Sequence, residues 1–138
     1  MLEPQVFIIH NLDHALSVAG AAAATGIAVA LFSVRDGASS LGPEVFAAIV
    51  EQAQTQHPQA HMEGILDCGE AAGPALAALR RGIKAISVAL PAQKHRQIMD
   101  IAKKYQASVR TYPQTGVDLA QLKNPDQALI TAMMENNT

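Results

Sequence analysis

A chain of 138 residues has the length of one domain, and a composition of 49% hydrophobic and 16% charged residues excludes an intrinsically disordered segment. The net charge of −2 is unevenly distributed, because residues 1–70 carry eight acids and one base, whereas residues 71–138 carry four acids and nine bases. The basic half has few aromatic residues among its charges, which argues against nucleic acid as a partner. The single cysteine, Cys68, excludes an intrachain disulfide and predicts a reducing, cytoplasmic location.

Residues 15–34 contain no charged side chain and have the length of a membrane span. Their first half is mostly alanine, and Thr25 and Gly26 separate it from a run of β-branched and aromatic residues. Because alanine gains little on transfer to lipid, the pattern predicts a helix, a glycine stop and a strand. No basic segment precedes this stretch, so we expect neither a signal peptide nor a membrane partner.

Strands and helices alternate along the whole chain. The predicted strands are residues 5–10, 27–34, 61–66, 83–90 and 108–112. Helices fill the intervals, with residues 35–42 as a loop and a last helix over about 124–135. Because parallel neighbours need long crossover connections, this pattern predicts one α/β domain over residues 1–138. We expect a five-stranded parallel sheet with helices on both faces, a Rossmann-like three-layer sandwich.

The polarity of the strands indicates their order in the sheet. The first two strands are almost wholly apolar, whereas the third carries Glu63 and the fifth carries Arg110, which is typical of edge strands. The order 3-2-1-4-5 places the polar strands outside. The alternative is the order 1-2-3-4-5 of a half (β/α)8 barrel. In this order the first strand lies at an edge, where a partner subunit would cover it and complete the barrel.

Residues 13–34 (DHALSVAGAAAATGIAVALFSV), Arg35 and residues 78–91 (ALRRGIKAISVALP) resemble the N-terminal half of the keto-deoxy-phosphogluconate aldolase family. These enzymes are (β/α)8 barrels that cleave a phosphorylated keto acid through a lysine Schiff base. The resemblance implies a βα architecture over about residues 5–112, and it places Arg35 where the family has an arginine for the substrate carboxylate. It does not imply the reaction, since Leu31 stands where the family has its acid–base glutamate and the Schiff-base lysine belongs to a later strand.

The loops that follow the strands form the binding site of a parallel α/β fold. The candidate ligand-binding residues lie in these loops: His10, Asp13, His14, Arg35, Asp67, Cys68, Gly69 and Lys94. The turn over residues 67–73 leads into a helix whose first amide groups suit a phosphate or a carboxylate. Arg35 supplies the countercharge for such an anion, whereas Glu70 opposes it.

The same residues suggest two other kinds of chemistry, metal binding and nucleophilic catalysis. His10, His14, Asp67 and Cys68 have the donor atoms of a metal site, but no CxxC or HExxH spacing is present, so we expect no metal. Cys68 is either a nucleophile activated by a helix N-terminus or an inert buried thiol. The catalytic residues, if there are any, and the cofactor stay unknown from the sequence.

The leading hypothesis is a small-molecule-binding domain that takes a small anionic metabolite and works as a homo-oligomer. Self-association is expected because the first helix is apolar or small on nearly all sides, which is typical of helices buried on more than one face. The first alternative is an enzyme that acts on a small phosphorylated or carboxylated metabolite. The second alternative is a protein-interaction module that uses the charge asymmetry.

Overall fold

The computed structural model describes residues 3–136 of the chain. The strands in this range are β1 (Gln5–Ile8), β2 (Val29–Phe32), β3 (Met62–Asp67), β4 (Ala85–Ser87), β5 (Ser108–Arg110) and β6 (Val117–Asp118). The helices are α1 (Leu12–Thr25), α2 (Gly37–Ser40), α3 (Pro43–Gln56), α4 (Ala72–Arg81), α5 (Ala92–Lys104) and α6 (Pro125–Asn136), and a 3-10 turn spans Leu119–Gln121. Within residues 3–136 the strands form one parallel sheet in the order β5-β4-β3-β2-β1-β6.

The predicted α/β class with a parallel sheet is confirmed, and the arrangement is compatible with a three-layer α/β sandwich. The expected number of strands is wrong, because residues 3–136 contain six strands rather than five. The missed strand, β6, has two residues and gives no periodic pattern in the sequence. The loop predicted over residues 35–42 also contains a single helical turn, α2.

The predicted strand order 3-2-1-4-5 is wrong, because β4 lies beside β3 rather than beside β1. The alternative order 1-2-3-4-5 is the one observed, with β6 rather than a partner subunit beside β1. Phe7 is the register partner of Val117, and Ile8 is the partner of Asp118. Gly116 permits this approach, since a Cβ atom there would lie 3.1 Å from the side chain of Val6. A strand as apolar as β1 therefore avoids an open edge through pairing within its own chain, which the polarity argument overlooked.

The chain divides into two compact units. The described parts of the first unit are residues 3–31, 49–63 and 114–136, and the second unit comprises residues 32–48 and 64–113. The first unit contains β1, α1, most of α3, β6 and α6, and the second contains α2, α4, β4, α5 and β5.

In the first unit, α1 begins at an asparagine cap and ends at the predicted glycine stop. The Asn11 side chain accepts a hydrogen bond from the backbone N–H of His14 at 2.9 Å, and Gly26 ends the helix in the left-handed conformation with φ 74°. Helix α6 packs against α1, whose buried residues are mostly alanine and permit close approach. The small, apolar surface of α1 is thus covered within its own chain.

The uncharged stretch over residues 15–34 forms most of α1 and then β2, as predicted. All four residues of β2 are buried, which fits a strand flanked by others in a parallel sheet. Among the helices of residues 3–136, none combines the length and the apolar character that a membrane crossing requires.

In the second unit, the strand ends are held in register and point toward one group of loops. Asp67 is the register partner of Ser87, and Ser87 is the partner of Arg110. Helix α4 begins after Ala71 and ends at Gly82, whose φ of 97° is the left-handed conformation that glycine adopts readily. The buried side chains Ile65, Leu66, Leu79 and Ile86 form much of the core of this unit.

Candidate functional site

The structure brings four of the eight predicted site residues together. Arg35, Asp67, Cys68 and Gly69 all border one open cleft of about 440 Å³ in the second unit. His10, Asp13 and His14 lie in the first unit. Lys94 is exposed on α5 and is not among the residues that border the cleft.

The cleft lies where the loops after parallel strands are expected to form a site. Arg35 follows β2, Asp67 ends β3, and Val88 and Ala89 follow β4. Because the carboxyl ends of parallel strands share one edge of a sheet, residues distant in sequence converge there. The structure accordingly places these three loops around one cleft.

Asp67 is a buried carboxylate that holds two loops together. Only 5% of the residue is exposed, and its Oδ2 accepts the backbone N–H of Asp36 at 2.6 Å while Oδ1 accepts the hydroxyl of Ser87 at 2.7 Å. Its own N–H donates to Ser33 Oγ at 2.9 Å. Burial of a carboxylate is costly unless donors satisfy it, and two donors do so here. Asp67 therefore fixes the loop that carries Arg35.

Asp36 and Gly69 fit together in a way that requires a glycine. Gly69 has φ 69°, and a Cβ atom at this position would lie 2.8 Å from Asp36 Oδ1. Asp36 itself is left-handed with φ 56°, a conformation that aspartate tolerates better than most residues. The hydroxyl of Ser39 donates to Asp36 Oδ1 at 3.1 Å. The carboxylate of Asp36 thus lies over the backbone of Gly69 at the border of the cleft.

Arg35 is oriented by an aromatic ring that the sequence did not single out as a partner. Its guanidinium carbon lies 4.4 Å from the ring centroid of Tyr112. The hydroxyl of Tyr112 donates to the backbone carbonyl of Ser33 at 3.0 Å, and the ring packs edge-on against Phe32 with centroids 5.7 Å apart. Stacking of this kind contributes about 0.5–1 kcal/mol at exposed sites. It also leaves the N–H edge of the guanidinium available in the plane of the group.

The N-terminus of α4 forms another part of the cleft border. Ala71 stands at the N-cap position in an extended conformation, and its methyl group has no acceptor for the first amides of the helix. Ala71 and Pro74 both border the cleft. The partial positive charge of a helix N-terminus therefore adds to that of Arg35, whereas the exposed Glu70 acts against both.

Cys68 has the properties of an inert thiol. The residue is fully buried, and burial together with the carboxylates of Asp67 and Asp36 raises the pKa of the thiol to about 12. A thiol with such a pKa is protonated at neutral pH and is a poor nucleophile. Of the two interpretations of Cys68 above, this geometry supports the structural one.

In the first unit, His10 and His14 meet a carboxylate that the sequence did not reveal. His10 Nε2 lies 2.7 Å from Asp118 Oδ1, and the backbone N–H of His10 donates to His14 Nδ1 at 3.0 Å. Burial, followed by the proximity of His10, lowers the pKa of His14 below the ordinary histidine value. Asp13 is exposed in the first turn of α1, where its charge complements the helix dipole.

No group of three metal-ligating side chains with suitable placement occurs within residues 3–136. Lysine is also missing from the described side chains that border the cleft, and Lys84 instead donates to the carbonyl of Tyr105 at 2.8 Å. Compared with known proteins, the chain matches no family model and no curated protein. The function is therefore inferred from the cleft itself.

Proposed function

We propose that this protein binds a small anionic metabolite in the cleft of the second unit. The observation that carries the proposal is the Arg35 guanidinium, stacked on Tyr112 beside the N-terminus of α4. A guanidinium presents parallel N–H groups that match the two oxygens of a carboxylate or phosphate. The sequence resemblance to the keto-deoxy-phosphogluconate aldolase family implies the same role, since it aligns Arg35 with the arginine that binds the substrate carboxylate in that family.

The buried carboxylate of Asp67 does little to oppose an anion in the cleft. Both of its oxygens accept hydrogen bonds from within the protein, one from Asp36 N–H and one from the Ser87 hydroxyl. Partial positive charge on these donors faces the carboxylate and offsets much of its field. The volume of about 440 Å³ lies within the range of small-molecule sites.

The test is ligand-induced thermal stabilisation by acetate, propionate and inorganic phosphate. A ligand that binds only the folded state raises Tm, and the stabilisation grows with the logarithm of one plus the ratio of ligand concentration to Kd. We expect Arg35→Gln to abolish the stabilisation. Arg80→Gln is the matched control, because Arg80 is exposed in the last turn of α4, outside the cleft, and its replacement removes the same charge. An Arg35→Gln variant that is stabilised as strongly as wild type contradicts the proposal.

The proposal includes a homo-oligomer in the cytoplasm. Ile130 and Met134 of α6 are 41% and 52% exposed, and apolar side chains on an outer helix face favour self-association. The buried free thiol of Cys68 is compatible with a reducing compartment. A monomeric mass in light scattering at micromolar concentration would contradict the oligomer without affecting the proposed ligand.

A further inference from the structure

The cleft of the second unit carries more negative than positive charge. Among the described side chains that border it, Arg35 is the one cation, whereas Asp36, Asp67 and Glu70 are acids. A ligand with several negative charges, such as a phosphate dianion, meets one guanidinium and a surplus of carboxylates. Electrostatic complementarity therefore favours a ligand that carries a positive charge as well as a negative one.

Two of the three acids are accessible to a ligand. Asp36 and Glu70 are exposed, whereas Asp67 is buried and satisfied by two protein donors. Asp36 is also held in place, since its N–H is bound by Asp67 and its Oδ1 accepts the hydroxyl of Ser39. A carboxylate accepts about four hydrogen bonds, so these contacts leave Asp36 with acceptor capacity.

The exposed charged side chains around the cleft come from two loops. Arg35 and Asp36 are consecutive in the loop after β2, and Glu70 lies in the loop after β3 and also borders the cleft. Gly69 allows the Asp36 carboxylate to lie close to the backbone that leads to Glu70. A ligand whose carboxylate binds Arg35 therefore has the acidic side chains of Asp36 and Glu70 around it in the same small cleft.

We infer that the ligand is a zwitterion, a small amino acid whose carboxylate binds Arg35 and whose ammonium group faces Asp36 and Glu70. This inference rests on the proposed function, because it keeps Arg35 as the anion-binding group. A hydrogen bond between charged groups changes affinity by roughly tenfold or more. The same acids oppose a phosphorylated ligand, so the cleft discriminates against it.

The experiment compares probes that differ only in the ammonium group. Isothermal titration calorimetry measures binding of L-alanine and β-alanine against propionate, and of γ-aminobutyrate against butyrate, with inorganic phosphate as a further anion. We expect at least one amino acid to bind about tenfold more tightly than its matched carboxylate. Phosphate is expected to bind more weakly than that amino acid.

Substitutions of Asp36 and Glu70 test whether these two acids cause the preference for an amino acid over its matched carboxylate. Asp36→Asn keeps an Oδ1 acceptor for Ser39 and a side chain that tolerates the left-handed conformation, and Glu70→Gln keeps the shape of the side chain. The double variant is expected to reduce the tenfold preference for the amino acid to less than about threefold, while the matched carboxylate binds as well as before or better. Glu51→Gln, at an exposed acid of α3 outside the cleft, is expected to keep the full preference.

The outcomes separate this inference from the proposed function. If carboxylates or phosphate bind as tightly as the amino acids and Arg35→Gln abolishes that binding, the inference of a zwitterionic ligand is wrong. The proposed anion-binding site at Arg35 is then still supported. If the double variant keeps the full preference, the assignment to Asp36 and Glu70 is wrong. If no probe binds, or if binding is indifferent to Arg35→Gln, both the inference and the proposed function are contradicted.

Discussion

Two carboxylates at strand ends, Asp67 in the second unit and Asp118 in the first, have opposite surroundings. Asp67 is 5% exposed and accepts from a backbone amide and a serine hydroxyl, neither of which titrates near neutral pH. The Asp118 side chain is 29% exposed and accepts from the backbone N–H of Ala120 at 2.9 Å and from His10 Nε2. The first arrangement is a buried contact that braces the cleft loops, whereas the second is partly exposed and is weakened by salt.

The largest expected difference between the two regions is the cost of removing the carboxylate. Asp67→Ala leaves the amide of Asp36 and the hydroxyl of Ser87 without their acceptor in a buried place, so we expect a loss of about 2–4 kcal/mol in the free energy of unfolding. Asp118→Ala exposes its donors to water and is expected to cost about 1 kcal/mol or less. Urea denaturation of both variants measures the difference. Equal losses would show that the burial of Asp67 contributes nothing beyond an exposed contact.

A second comparison uses one glycine from each unit. Gly26 and Gly69 have similar φ angles of 74° and 69°, but a Cβ atom added at Gly26 would meet nothing within 4 Å, whereas one added at Gly69 would lie 2.8 Å from the Asp36 carboxylate. Alanine in the left-handed conformation costs about 1 kcal/mol. We therefore expect about 1 kcal/mol for Gly26→Ala and about 2–3 kcal/mol for Gly69→Ala.

The same pair separates backbone strain from the contact with Asp36. Replacement of Asp36 by glycine in the Gly69→Ala background removes the carboxylate, so the extra cost relative to Gly26→Ala is expected to disappear in urea denaturation. If Gly69→Ala costs no more than Gly26→Ala in the first place, then the Asp36 carboxylate moves away without penalty.

The sequence predicts the local features of both regions and misses the distant ones. Asn11, Gly26 and Gly82 act through their own backbone neighbourhood, so their roles as helix cap and helix stops follow from residue type. Arg35 and Asp67 each follow a strand, which is why the topology of a parallel sheet places them at one edge. These predictions need no knowledge of which strands are neighbours.

The missed features depend on contacts between remote segments. His10 and Asp118 are 108 positions apart, and Tyr112 and Ser33 are 79 positions apart. No periodicity or spacing relates such residues, and the two-residue strand β6 that positions Asp118 is too short for a hydrophobic pattern. The choice between the two predicted strand orders has the same origin, since the pairings of β4 with β3 and of β1 with β6 depend on tertiary contacts.

The smallest expected effect is the pH dependence of stability that His14 gives the first unit. Burial and His10 lower the pKa of His14 in the folded protein, while Asp118 and Asp13 act in the opposite direction and do not outweigh them. The unfolded chain therefore binds more protons at this histidine, so the free energy of unfolding decreases as pH falls below about 6.5 toward the folded pKa. Protonation of Nδ1 also removes the hydrogen bond from His10 N–H, a contact whose net contribution is about 0.5–1.5 kcal/mol. Urea denaturation between pH 5 and 7 should show this slope in wild type and in His61→Gln, whose histidine is exposed, and a flatter one in His14→Gln. An unchanged slope in His14→Gln would show that His14 does not cause the loss of stability at low pH.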